Sequence, residues 1–281
     1  MNNPSNIVVT GIPRSGTTLV CHLLNKLPNT VALHEPMDVR RLAAATDRSR
    51  VADEVERFFD ATRASLLLGG TAPSKQVDGV VPDNPVGGPA GGVGVRAKRV
   101  SKGRIVVDKA LADDLTLCIK HPAAFTAVLH QLTPRFPAFA VVRNPAAVLA
   151  SWSSVPFPVR KGHAPAAERF DARLAAELAS ITDCVDRQVH LLSWFYARYD
   201  AVLPRDRVIH YEDVVSTGGR VLERVVPQAA WLDEKLESKN KNPLYDHATF
   251  QSLGRRLLAS DGAFWRFYSR ASVEELLACD A

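Results

Sequence analysis

Ile7-Val8-Val9-Thr10-Gly11-Ile12-Pro13-Arg14-Ser15-Gly16-Thr17-Thr18-Leu19 is the stretch that decides how the rest of this chain reads. Ile7–Thr10 is a short β-branched run, as expected of a strand buried on both faces. From Thr17 onward Leu19, Val20, Leu23, Leu24 and Leu27 recur with a helical period. The loop between strand and helix suits an anion. Glycine lets the backbone approach closely, successive amides form a nest, and the helix start adds its positive end. The spacing is that of the phosphate loop GxxxxGK[ST], but Thr17 stands where the lysine belongs. That lysine neutralises the terminal phosphates of a nucleoside triphosphate. Here the fixed cation sits earlier, at Arg14.

Outward from this loop, β-branched runs alternate with helix-period segments, which points to an α/β fold with a mostly parallel central sheet flanked by helices. Further strands are expected at Val31–Leu33, Leu115–Ile119, Phe139–Val142 and Val208–His210. Val51, Val55, Phe58, Phe59 and Leu66 mark one helix. Asp171–Tyr199 reads as the strongest, with Leu174, Leu178, Ile181, Val185, Val189, Leu192 and Tyr196 as its stripe. From about 69 to 103, glycine and proline crowd together and no period survives, so a flexible insertion is expected in a single domain spanning 1–281. A hairpin over Val93–Val107, turning at Lys102-Gly103, is the one regular feature legible there.

A net charge of +5 suits an anionic ligand and falls short of a nucleic-acid-binding signature. Cys21, Cys118, Cys184 and Cys279 are scattered, as expected of reduced thiols rather than a disulfide framework or a metal site. No apolar run approaches the roughly 18 residues that span a bilayer, and the opening MNNPSN lacks a signal-peptide core. The expectation is a cytoplasmic protein without a membrane span and without a metal.

Pro13-Arg14-Ser15-Gly16-Thr17-Thr18-Leu19 resembles the 5′-phosphosulfate loop of sulfotransferases that use 3′-phosphoadenosine 5′-phosphosulfate (PAPS). A second motif is similar to their 3′-phosphate grip, an arginine ending a later strand with a serine eight residues on: Val142-Arg143-Asn144-Pro145 leading to Ser151. A third, Val208-Ile209-His210-Tyr211-Glu212-Asp213, is similar to a segment near their nucleotide. The resemblance spans residues 6–215, leaving the insertion and everything after Ser216 unmatched. It implies a P-loop nucleoside triphosphate hydrolase-like fold and PAPS as co-substrate. Arg14, Ser15, Gly16, Thr17, Thr18, Arg143 and Ser151 would bind the donor, with Tyr211 near its adenosine and Glu212 or Asp213 in structural hydrogen bonds.

Sulfuryl transfer needs a base for the acceptor hydroxyl and cations for the leaving oxygen. Strand ends line the crevice of an open α/β sheet, so Leu33-His34-Glu35-Pro36 should face the loop. The resemblance makes Glu35 the first choice, since carbohydrate sulfotransferases use a glutamate in such a setting. His34 has a suitable intrinsic pKa and stays a rival. Under strand alternation only one of the two would reach the crevice. Lys120, leaving another strand end, could neutralise the transferring group.

Residues 156–165 (Phe157, Arg160, Lys161, His163) and the insertion are expected to wall an acceptor site for a small-molecule, sugar or lipid hydroxyl, or less readily an amine. Arg96, Lys98, Arg99, Lys102 and Arg104 read as a solvated basic face. Two other functions stay open. One is a P-loop kinase or NTPase, for which Asp108 is the best magnesium-binding aspartate. The other is an inactive protein that binds PAP, the 3′,5′-bisphosphate product, or another nucleotide. Neither the acceptor's identity nor the oligomeric state is legible in the sequence.

Overall fold

A computed structural model describes residues 5–44, 50–89 and 95–278. The first four residues, Ala90–Gly94 with the proposed hairpin start at Val93, and Cys279 lie outside them. The chain opens with β1 (Asn6–Gly11), α1 (Thr17–Leu24), β2 (Thr30–His34), α2 (Val39–Ala44) and α3 (Val51–Gly69). Four short strands follow: β3 (Thr71–Gln76), β4 (Val86–Pro89), β5 (Arg96–Lys98) and β6 (Ser101–Val106). Next come β7 (Thr116–Lys120), α4 (Pro122–Ala127), α5 (Leu129–Leu132), β8 (Ala138–Val142) and α6 (Pro145–Ser153). The remainder holds α7 (Pro165–Glu168), α8 (Ala172–Ser180), α9 (Cys184–Val202), β9 (Val208–His210), α10 (Tyr211–Ser216), α11 (His247–Leu258) and α12 (Arg270–Ala278).

Five strands form a sheet in the order β2-β7-β1-β8-β9, and every pairing in it is parallel. The fold is α/β, as the alternation of the sequence predicts. Each residue of β1, β2 and β8 is buried, which is why these strands read as continuous apolar runs rather than alternating ones. Polar groups inside this core are paired. Thr10 on β1 bonds to the Pro122 carbonyl and to Thr126 of α4 (2.6 and 2.8 Å), and Thr126 bonds to Tyr199 of α9 (2.8 Å). Asn25 clamps β2 through both amide atoms on Ala32 (2.8 Å each). Lys109 donates to the carbonyls of Asn25 and Leu27, closing the end of the first helix.

Two expectations change. The insertion contains regular structure: β3 and β6 pair antiparallel along six residues, with Ser74 opposite Gly103 and Lys75 opposite Lys102. Lys102-Gly103 is therefore mid-strand rather than a turn. Non-local pairing across this segment supplied an order that its glycine content hid. The helix read from Asp171 to Tyr199 is two helices. The chain is extended at Ile181, and Asp183 caps α9 by accepting from the amides of Val185 and Asp186 at 2.9 Å each. Arg187 reaches back to the carbonyls of Ile181 and Thr182. The apolar period of the sequence runs through the break, although only Val185 of the pair Ile181 and Val185 packs against the core. Among the described cysteines, Cys21 and Cys118 are buried free thiols and Cys184 an exposed one. No helix among the described residues is long and apolar enough to cross a membrane.

Loss of the α9 cap has a measurable consequence. Asp183→Ala is expected to lower unfolding stability by about 1 kcal/mol in a denaturant titration, and Asp183→Asn to retain most of it.

Candidate active site

Parallel register brings five strand ends to one edge. His34 lies level with Lys120, Val9 with Lys120, Gly11 with Val141 and Val142 with His210. The residues at and just beyond those ends line a single cavity of about 680 Å³. Its wall includes Arg14, Gly16, Thr17 and Thr18 after β1, His34 ending β2 and Glu35 after it, Lys120 ending β7 and His121 after it, Arg143 after β8 and Tyr211 after β9. This is the carboxyl edge at which open α/β sheets hold ligands.

The loop after β1 is built to be backbone-lined. Gly11 and Gly16 have φ of 149° and 92°, and a Cβ on Gly16 would lie 2.6 Å from the Tyr211 ring. Arg14 also has positive φ (75°), a conformation unfavourable to arginine that recurs at functional sites. No side chain among the described residues caps the start of α1, and its first residues, Thr17 and Thr18, line the cavity. The Ser15 hydroxyl donates to the Val141 carbonyl (2.7 Å), fastening the loop to β8. Trp152 of α6 fastens it again through the Pro13 carbonyl (2.7 Å).

Three arginines meet on this side of the cavity. Arg14 donates to Ser151 Oγ (3.2 Å) and Asn84 Oδ1 (3.3 Å). Arg143, buried, donates to Asn240 Oδ1 (2.7 Å), the Arg14 carbonyl (3.1 Å) and the Lys239 carbonyl, and lies over the Tyr211 ring at 4.7 Å. Arg96 of β5, also buried, donates to the Gly87 carbonyl (2.9 Å) and the Val86 carbonyl. All these acceptors are neutral, and among the described residues none of the three has a carboxylate partner. Burial, then repulsion from Arg96 and Arg143, pushes the Arg14 guanidinium down to about 10. Ser151, fully buried, reaches the site through Arg14. Glu212 is structural: it accepts from the Asn144 amide, Asn240 and Tyr268 (2.7 to 2.9 Å).

The opposite side holds an acid between bases. Glu35 forms ion pairs with Lys75 of β3 and with Lys120 (3.5 Å), and lies 3.4 Å from His34 Nε2. His34 and Glu35 thus both line the cavity, contrary to the alternation argument. Glu35 has left the strand conformation, with φ of 47°, so consecutive side chains converge. Burial raises the Glu35 carboxyl, but Lys120, the His34 hydrogen bond and Lys75 outweigh it and hold it well below the usual carboxylate range. His34 is pushed down to about 4, by burial first and Lys120 next. Its Nδ1 is enclosed with no hydrogen-bond partner among the described residues. Lys120 Nζ also sits 3.5 Å from Thr18 Oγ1. The cation absent from Thr17 is supplied here by the neighbouring strand.

Sequence reasoning missed Lys75 and the segment around Lys239-Asn240, and it read Arg96 and Lys98 as solvated. Arg96 and Lys98 line the cavity, whereas Lys102 and Arg104 are exposed as expected. Phe157 and His163 line it too, while Arg160 and Lys161 face solvent. Asp108 is exposed and apart from the cavity wall. The described residues contain no group of three or more His, Cys, Asp or Glu able to hold a metal.

His34 and His121 carry a pH signature. Both are pushed down, to about 4 and about 3, chiefly by burial. In the unfolded chain each binds its proton near pH 6.5, so stability is expected to fall as pH drops from 6.5 toward 4. The fall should be roughly 2 kcal/mol per histidine between pH 7 and 5. Denaturant midpoints at the two pH values, in wild type and His121→Asn, check it.

Comparison with known proteins agrees with the motifs. No curated protein matches the chain significantly. Among solved structures it is similar to the sulfotransferase domain of the Synechococcus PCC 7002 olefin synthase, with 13% identity, a TM-score of 0.40, and coverage of 100% of this chain and 90% of that one. It is also similar to the sulfotransferase STF9 of Mycobacterium avium (14%, 0.36, 99% and 76%). A third is STF1 of Mycobacterium tuberculosis H37Rv (14%, 0.37, 99% and 77%). At these scores the likeness carries no inference about substrate or mechanism. The family model described as "Sulfotransferase family" matches residues 4–231, and the chain belongs to that family.

Proposed function

We propose that the protein transfers the sulfuryl group of PAPS to a hydroxyl of a small-molecule, sugar or lipid acceptor and releases PAP. The observation that carries this reading is the arginine cluster: Arg14, Arg96 and Arg143, bonded only to neutral groups, on the wall of one cavity. Two buried cations and a half-buried one, without an acid partner among the described residues, are poorly compensated until a polyanion arrives. A donor with a phosphosulfate at one end and a 3′-phosphate at the other supplies two anionic groups. The amides of the loop and Thr17 and Thr18 would take the first, and Arg143 the second, with Tyr211 beside the adenosine.

Glu35 is the base in this reading. It faces the cavity, whereas the Nδ1 of His34 is enclosed and its Nε2 already meets Glu35. In the reaction the acceptor oxygen bonds to sulfur as the bridging S–O bond breaks. The electron pair of that bond leaves on the 5′-phosphate, and the acceptor proton passes to Glu35. Lys120 and Arg14 are placed to stabilise the charge that develops on the leaving oxygen. While Glu35 remains paired to two lysines it is a weak base. Donor binding that draws Lys120 and Lys75 toward the sulfate would raise its basicity at the moment a proton must be taken.

Thermal-shift measurements with PAP, ADP, ATP and ATP–magnesium test the donor. Stabilisation by PAP is expected, and stabilisation by ATP–magnesium alone would overturn the reading in favour of a kinase or NTPase. Arg14→Ala is expected to lose both PAP binding and turnover. Glu35→Gln should bind PAP normally while turnover falls at least about 100-fold, as for loss of a general base. Normal turnover in Glu35→Gln would remove it from the role, and PAP binding without sulfuryl transfer to any of a panel of hydroxylated acceptors would identify an inactive binder. Lys75→Met should move the acid limb of kcat/KM to higher pH, because removing the cation raises the Glu35 carboxyl.

A further inference from the structure

The insertion that no motif explains contributes a side chain to the donor side of the cavity. Its strand β5 is tied to the core by the Arg96 amide, which donates to the Ser154 carbonyl at 2.9 Å. Ser154 in turn bonds back to the Ser151 carbonyl (2.9 Å). Arg96 is thereby anchored one helical turn from Ser151, beside the arginine cluster. Its guanidinium is held rigid by two carbonyls of β4, Gly87 and Val86. From the same insertion, Asn84 accepts from Arg14 (3.3 Å). Arg96 is only 6% exposed, and that exposure is to the cavity it lines.

We infer that Arg96 is a specificity-determining residue: together with Arg143 it grips the 3′-phosphate of the donor, so that the insertion reads whether the nucleotide carries that phosphate. This rests on the sulfuryl-donor reading and goes beyond it, since the arginine–serine motif accounts for the grip without Arg96. An arginine fixed by carbonyls of the paired strand loses little rotamer freedom when a phosphate binds. Burial and the nearby Arg143 lower its proton affinity, in keeping with a cation held beside another until an anion separates their fields. A guanidinium contributes through charge and fork geometry together, so lysine cannot fully replace it.

Calorimetric titration of the full chain with PAP and with adenosine 5′-phosphate tests this. Wild type is expected to prefer PAP. Arg96→Gln, which can still donate to the β4 carbonyls, should cut that preference by about 10- to 100-fold, the worth of a charge-assisted hydrogen bond. Its affinity for adenosine 5′-phosphate should change by less than about threefold. Arg96→Lys should fall between. An unchanged preference in Arg96→Gln would overturn the inference. An equal loss of both affinities would also overturn it, since Arg96 would then be a scaffold residue. A wild type that fails to prefer PAP would instead overturn the donor reading itself.

Discussion

The parallel register of the central sheet is the constraint on which everything else depends. Because β2, β7, β1, β8 and β9 run in the same direction, their carboxyl ends open onto one crevice. Residues from five distant parts of the chain meet there. Glu35, Arg14, Arg143 and Tyr211 are the first or near-first residues past those ends, and Lys120 is the last residue of β7. A strand slipped by one residue would turn Lys120 or Arg143 to the other face of the sheet. Burial of the strands on both sides fixes the register, since polar groups such as Thr10 find partners only in this arrangement.

The crevice has two electrostatic halves. On the arginine side, positive charge has no acid partner among the described residues and is held by neutral carbonyl, amide and hydroxyl oxygens. On the Glu35 side one carboxylate is shared between Lys75 and Lys120. In the proposed reaction the first half would take the anionic groups of the donor, and the cations that restrain the acid in the second would turn toward its sulfate. Two residues with unfavourable backbone, Arg14 and Glu35, stand one in each half. At both, strain is retained where it aims a side chain at the cavity.

Local signals were enough to read the loop after β1, the strand ends and the α/β class. Each of these depends on residues close in sequence: glycine spacing, β-branched runs and helical periods. The two motifs of the family resemblance belong here as well. They single out Arg14 and Arg143, which meet in space, and Ser15 and Ser151, which bond to the Val141 carbonyl and to Arg14.

What the tertiary structure decided rests on contacts between distant segments. That Glu35 and His34 share the cavity follows from a positive φ that no propensity announces. The break at Ile181 depends on a cap by Asp183 and on Arg187 reaching backward, against an apolar stripe that continues unbroken. Lys75 and Arg96 enter the site because β3 pairs with β6 and β5 is pinned to α6. In the sequence they are indistinguishable from the solvent-facing Lys102 and Arg104. A charged residue's role depends on which surface its strand lies against, and pairing across an insertion sets that surface. The glycine-rich loop after β1 could be read from the chain alone; the charged residues that the insertion brings to the same cavity could not.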